Sequence, residues 1–291
     1  MEKSILSIAL SVSSLLALSA HAQQAEPALA RVIYEFMHIN DTLQPDKPHK
    51  EEMVLYIGQQ ASLYGTYANE RVNQQIKKQM ENPAFDGNLT ITGSGRTTRE
   101  SYYARPAEQV LKQLSGLAGD QYLVDDDYPA IDWQLTDETK TIGGYTAQQA
   151  TGRFKGRDYT VWFTTDVPFQ AGPWKLLGLP GLVLEATDSR SEVAFHYAGF
   201  ETLAEGDASV AAPENAIVTT RKELDKLTAA FQKNPQAFMN ARAQSGAQRP
   251  GSGSTINGDP IMDPSRIKSI NINKDDSQTS SVTNNPLELE Q

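Results

Sequence analysis

Three histidines, a few clustered carboxylates and one leucine-rich loop are the residues whose types and spacing could do chemistry. Past residue 22 the chain carries His38, His49 and His196, and none falls in the H-E-x-x-H spacing that sets two imidazoles on one helical face around zinc. His196 sits between Phe195 and Tyr197 and reads as a histidine satisfied within a strand. Ser94 and Ser252 are flanked by glycines but lack the G-x-S-x-G spacing of an exposed nucleophile, so both read as turn serines. Asp125-Asp126-Asp127 and the set Asn271, Asn273, Asp275, Asp276 look like calcium-loop fragments. Neither has the sixth-position glycine or twelfth-position glutamate of that loop, and solvated acidic turns are expected instead. Asp166, Glu185 and Asp188 leave a hydrolase open as the alternative, provided two carboxylates stand about 5–10 Å apart in one cleft. No glycine-rich phosphate cradle or dinucleotide fingerprint occurs, and no cofactor or metal is expected.

The segment from Gly172 to Glu185 is the most unusual. It interleaves three glycines and two prolines with Trp174 and a series of leucines. Glycine and proline fix turns, yet surface loops seldom carry so many apolar residues. Such a loop either plugs an open sheet end or borders an apolar cavity. On the second reading the lip comprises Trp162, Pro173, Trp174, Leu179, Pro180, Gly181 and Leu182, with Arg157 and Asp166 placed to orient a polar end. The tryptophans would supply rigid contact area, and Gly181 close backbone approach.

The elements that must hold these residues are mostly strands. Val32, Tyr34 and Phe36 alternate with Glu35 and Met37, and Glu52–Ile57 and Ala61–Tyr67 continue the period of two as a meander. Glu70–Met80 shifts to helical spacing and ends before Pro83. Leu89–Thr92 and Glu100–Tyr103 are short strands around a Gly93-Ser94-Gly95 turn, and Pro106 opens a short helix through Leu114. Gln148–Phe154 and Asp158–Thr165 form a hairpin, and Leu182–Asp188 and Glu192–Phe200 a second one. Thr220 caps a helix over Arg221–Lys233, with a further turn or two to about Arg242. The pattern predicts an α+β fold, mainly antiparallel β, as a curved sheet or incomplete barrel with a few helices.

Composition sets the outer limits. Lys3, the apolar run Ile5–Leu18 and Ala20-His21-Ala22 form a signal peptide over 1–22, cleaved after Ala22. That run is too short to span a membrane. The net charge of −10 and the lack of a basic patch make nucleic acid a poor partner. With no cysteine, disulfides, thiolate chemistry and lipid attachment at a cysteine are all excluded, so a packed core must hold the fold. One domain is expected over 28–242. A flexible polar tail over 243–291 would follow, with a short docking element at 285–289.

PWKLLGLPGLVLEATD, residues 173–188, resembles the signature of the GLPGLI family of exported Gram-negative envelope proteins, with Val183 in place of the final isoleucine. RVIYEFMHINDT (31–42) is similar to that family's opening strand, EEMVLYIGQQASLYGTY (51–67) to the next two, residues 138–175 to its central block and NNPLELE to its closing. The resemblance departs at Ala147, where the family commonly has cysteine. It implies a periplasmic or secreted protein, distantly like periplasmic lipoprotein carriers, whose open barrel suits an apolar small molecule, lipid or peptide segment. It also implies an outer-membrane import receptor as partner. The family carries no established activity.

Overall fold

The computed structural model describes residues 25–93, 97–244, 266–274, 279–280 and 282–290. The expected signal peptide lies outside them, as do Ser94, Gly95, Ser252, Asp275 and Asp276. Strands β1 (Glu26–Pro27), β2 (Ala30–His38), β3 (His49–Ile57) and β4 (Ser62–Thr66) lead into α1 (Ala68–Met80). Next come β5 (Asn88–Gly93), β6 (Glu100–Arg105), β7 (Val110–Leu117), β8 (Asp120–Asp126), β9 (Gln134–Ile142), β10 (Tyr145–Phe154) and β11 (Arg157–Thr164). β12 (Leu182–Asp188), β13 (Val193–Thr202), β14 (Ser209–Val210) and β15 (Ile217–Thr219) precede α2 (Arg221–Lys233), α3 (Pro235–Gln244) and β16 (Ser269–Lys274).

Twelve strands form one curved, mainly antiparallel open sheet in the order β15-β8-β7-β6-β4-β3-β2-β13-β12-β11-β10-β9. Two meanders, β2 to β8 and β9 to β13, are joined where β13 pairs with β2. The period of two decides which side chains face inward. Along β2, Val32, Tyr34 and Phe36 are buried while Glu35 is exposed, and the register sets Phe195 beside Phe36 and Met53 beside Tyr34. The sheet does not close, because β15 and β9 are its two edges.

Several elements differ from the sequence expectation, among them β8 and β9, which were not read as strands. Pro106 opens only a 3-10 turn to Glu108, after which Gln109 turns left-handed and the chain continues as β7. Leu111 pairs with Ala104 on one side and Asp126 on the other, so cross-strand pairing overrides the local helix signal. Within the segment expected as a polar tail, β16 pairs in parallel with β5, outside the main sheet.

The main core lies between the inner face of the sheet and the loop over 165–181. Leu176, Leu177, Leu179, Leu182 and Leu184 of the loop and β12 join Tyr34, Phe36, Leu55, Tyr64, Val161 and Phe163 in one buried cluster. Each buried leucine contributes about 1.5–3 kcal/mol relative to an exposed one. α2 covers the β8 end through Leu224, packed on Leu117, Tyr122 and Val124.

Candidate functional site

The leucine-rich loop packs into the open sheet and divides its concavity. Turn hydrogen bonds from Leu176 N to Pro173 O and from Leu177 N to Lys175 O fold it, and Trp133 Nε1 donates to Leu177 O at 2.9 Å. Gly181 has a definite steric role, since a Cβ there would lie 2.1 Å from Thr164 O. Trp174 adopts φ +54, a strained region for a bulky residue, and meets Phe154 edge-on at 5.6 Å between ring centroids. Its side chain is buried, with 3% of the residue exposed, yet it lines a cleft.

That cleft has a volume of about 720 Å³. Its floor is aromatic: Phe36 stacks on Phe195 at 5.0 Å, and Tyr64 meets Phe195 at 6.4 Å, with Met53, Tyr102 and Trp174 alongside. Burial pushes the phenols of Tyr64 and Tyr102 well above the usual value, which keeps both neutral. The rim is charged and comes from β6, β8, the turn after it, α2 and the segment at 283–288. A second cleft of about 740 Å³ lies where Gly178, Leu179 and Pro180 face Tyr128, Phe169, Gln60 and Arg105.

The end of the chain closes one side of the first cleft. Leu287 packs against the main core, and Thr283, Pro286, Leu287 and Glu288 line the cleft. Arg157 holds this strap with all its donor positions. Nε donates to Leu287 O, Nη2 to Asn285 Oδ1 and Pro286 O, and Nη1 to Asp188 and Glu192. Lys175 holds it from the loop, with Nζ 2.5 Å from Glu288 Oε1, 2.7 Å from Asp126 Oδ2 and over the Tyr102 ring at 5.4 Å. Asn285 Nδ2 reaches Ile39 O, and Asn284 Nδ2 reaches Asp41. Residues 285–289 therefore dock onto their own domain.

The residues singled out in the sequence are dispersed by this arrangement. Trp174 lines the first cleft, Leu179 and Pro180 the second, and Pro173, Gly181 and Leu182 are buried between them. Trp162 alternates to the opposite face of β11, where Lys140 Nζ lies 4.5 Å from its ring centre. Arg157 has no donor left for a ligand, and Asp166 is exposed, accepting from Thr146 N at 2.8 Å. Glu185 pairs with Lys140, and Asp188 is buried against Arg157. Asp166, Glu185 and Asp188 line neither cleft. His196 is exposed on β13.

Sequence reasoning singled out Trp174 alone among the residues of the first cleft as a site residue, and two of those it missed are instructive. Lys175 could have been found, because a lysine inside an apolar loop demands a carboxylate partner. His38 could not, since only the register of β2 with β3 and the strap surrounds it. Burial is the largest cause and lowers its pKa to about 4; the Asn285 backbone, next in size, opposes it, while Arg157 and His49 lower it further and Asp188 raises it slightly. Next to it, Glu51 accepts from His49 Nε2 at 3.0 Å, from Thr98 N at 2.8 Å and from the Thr66 hydroxyl. Burial pushes the Glu51 carboxyl up, but these bonds outweigh it and hold it below the ordinary value. Among the described residues no group of three or more His, Asp or Glu is arranged to hold a metal ion. No described helix is long and apolar enough to cross a membrane.

The model of the family described as N-glycanase peptide, N-terminal domain, matches residues 76–229, from within α1 to within α2. Two structures of PNGF-II, in space groups C2 and P21, align with TM-scores of 0.45 and 0.46 and 14% identity. Each alignment covers 68% of this chain and 32% of PNGF-II, so the chain spans about a third of the length of those structures. Comparison with curated proteins gave no match.

Proposed function

The chain belongs to the family of N-glycanase peptide N-terminal domains, and we propose that it acts as an exported binding or accessory domain whose first cleft receives an apolar ligand or partner segment. The observation that carries this reading is the cleft itself. Phe36, Tyr64, Tyr102, Trp174 and Phe195 are themselves buried, yet together they line a cavity of about 720 Å³, within the 300–1,000 Å³ typical of small-molecule sites. The strained backbone of Trp174 fixes its indole at the junction of loop and cleft. Export to the periplasm or beyond, and kinship with GLPGLI envelope proteins, belong to the same proposal. They rest on the Ala20-His21-Ala22 pattern and on residues 173–188.

The hydrolase alternative draws on the family description. On this chain it would need cleft carboxylates other than the three singled out in the sequence. Asp126 and Glu288 are drawn to one ammonium, that of Lys175, which bridges both.

Native mass spectrometry with solvent extraction, on protein purified from its own host, tests the binding reading. The comparison is a Thr283→Trp variant, which narrows the mouth at an exposed strap position. An apolar molecule carried by the wild type and lost from the variant is the expected result. A ligand-free mass, together with no saturable uptake of an apolar fluorescent probe, would overturn it.

A further inference from the structure

The charge around the first cleft is unbalanced, and the imbalance says what kind of head group a ligand would carry. Three cations, Lys155, Lys175 and Arg221, face six carboxylates, Glu100, Asp125, Asp126, Asp127, Asp225 and Glu288. The cations are already engaged by two of the six. Lys175 bridges Asp126 and Glu288, Lys155 reaches Glu288 at 3.5 Å, and Arg221 reaches Asp126 at 3.5 Å while donating to Gln113. Asp125 has Lys112 at 3.0 Å, but its side chain is 82% exposed, so that pair is weak. Among the described residues, no cation pairs with Glu100, Asp127 or Asp225. Carboxylates beside low-dielectric aromatic walls focus a negative potential into the cleft.

A second, independent feature points the same way. His38 lines the cleft at 6% exposure, and its Nε2 is a buried atom without a hydrogen-bond partner among the described residues. The Asn285 backbone acts on this ring in the sense that favours its protonated form, as an acceptor does, and with Nε2 unpartnered we assign the ring proton to Nδ1, which leaves Nε2 to accept. A donor-rich head group would satisfy it, whereas a carboxylate would meet another acceptor.

We infer that the cleft takes an amphipathic amine, with an apolar body on the aromatic floor and an ammonium or guanidinium group among Glu100, Asp127, Asp225 and His38. This rests on the binding reading above and adds the charge of the ligand to it. The floor strands β2, β3, β4, β6, β7 and β13 are all paired on both sides. They offer side chains and no free backbone edge, so recognition fits a small molecule rather than the main chain of a peptide.

The experiment is calorimetric titration of the full chain with three ligands sharing one body: 4-phenylbutylammonium, 4-phenylbutanol and 4-phenylbutanoate. The ammonium should bind tightest and the carboxylate weakest, with about a tenfold or greater span at low salt. That span should shrink as salt rises from about 20 to about 300 mM, where the Debye length is shorter. A Glu100→Gln, Asp127→Asn, Asp225→Asn variant, altered only at rim positions outside any ion pair, should level the series and keep the alcohol's affinity. Saturable alcohol binding with the carboxylate equal to or tighter than the ammonium would overturn the charge assignment and leave the binding reading standing. Saturable binding by none of the three would overturn both.

Discussion

Arg157 of β11 and Asp188 of β12 form an ion pair 2.6 Å long in which neither side chain reaches solvent. The same guanidinium carries Asn285, Pro286 and Leu287. A hairpin end and the chain terminus, 128 residues apart at Arg157 and Asn285, therefore share one cation. A buried charge of this kind is stable only while every partner is present.

Arg157→Met should accordingly cost about 3–5 kcal/mol, because it leaves Asp188 buried without its counter-charge. Arg157→Lys should recover little, since one ammonium cannot reach five acceptors in the guanidinium's fork geometry. The pair Arg157→Met, Asp188→Leu should be less damaging than Arg157→Met alone. Urea midpoints measure the loss, and hydrogen exchange at 285–289 reports whether the strap is released. A single variant within about 1 kcal/mol of wild type would show that the pair does not anchor the strap.

His38 gives the stability a pH dependence of defined sign. Its folded pKa, about 4, lies below the ordinary 6.5. Arg157, His49 and Asp188 face it from β11, β3 and β12, and the Asn285 backbone faces it from the strap. Above about pH 6.5 neither state binds the proton and His38 is neutral in effect. As pH falls from 6.5 towards 4, only the unfolded chain gains it, so stability drops by about 3 kcal/mol over the window. Asp41 and Glu51, whose folded values are lowered, act with the same sign, beginning at the acid end of this window where unfolded carboxylates start to protonate. Urea midpoints at about pH 7, 5.5 and 4.5 should show a decline that His38→Asn largely removes. An equal decline in the variant would place the titration elsewhere.

The strands of the first meander up to β6, the two hairpins and the Thr220-capped helix were legible because each is written in local periodicity, whereas β7, β8 and β9 were not. The Thr220 hydroxyl does accept from Glu223 N. The loop at 172–181 was legible as unusual, and its two readings coexist in the structure: Leu176, Leu177 and Leu182 plug the core while Trp174 lines a cleft. What sequence could not supply is convergence. Phe36, Tyr102 and Trp174 meet through sheet curvature, and Arg157 meets Asn285 through a chain reversal that leaves no local trace. A docking element at 285–289 was expected, but polar composition hid what it docks on, because Asn284, Asn285 and Glu288 are held through hydrogen bonds and charge.

Gly181→Ala tests whether the loop is a fixed insert or a displaceable lip. A Cβ at Gly181 would meet Thr164 O at 2.1 Å, and that oxygen belongs to the backbone of β11, which cannot yield without moving the sheet. The expected cost is about 1–3 kcal/mol or more, as for other overpacked core sites. Gly199→Ala is the control, since nothing lies within 4 Å of a Cβ there and its φ is ordinary. That change should be neutral or stabilising by up to about 1 kcal/mol. Thermal midpoints of the two variants should therefore move apart. If Gly181→Ala melts with the wild type, the loop can lift from β11, and the two clefts it separates would be parts of one larger cavity.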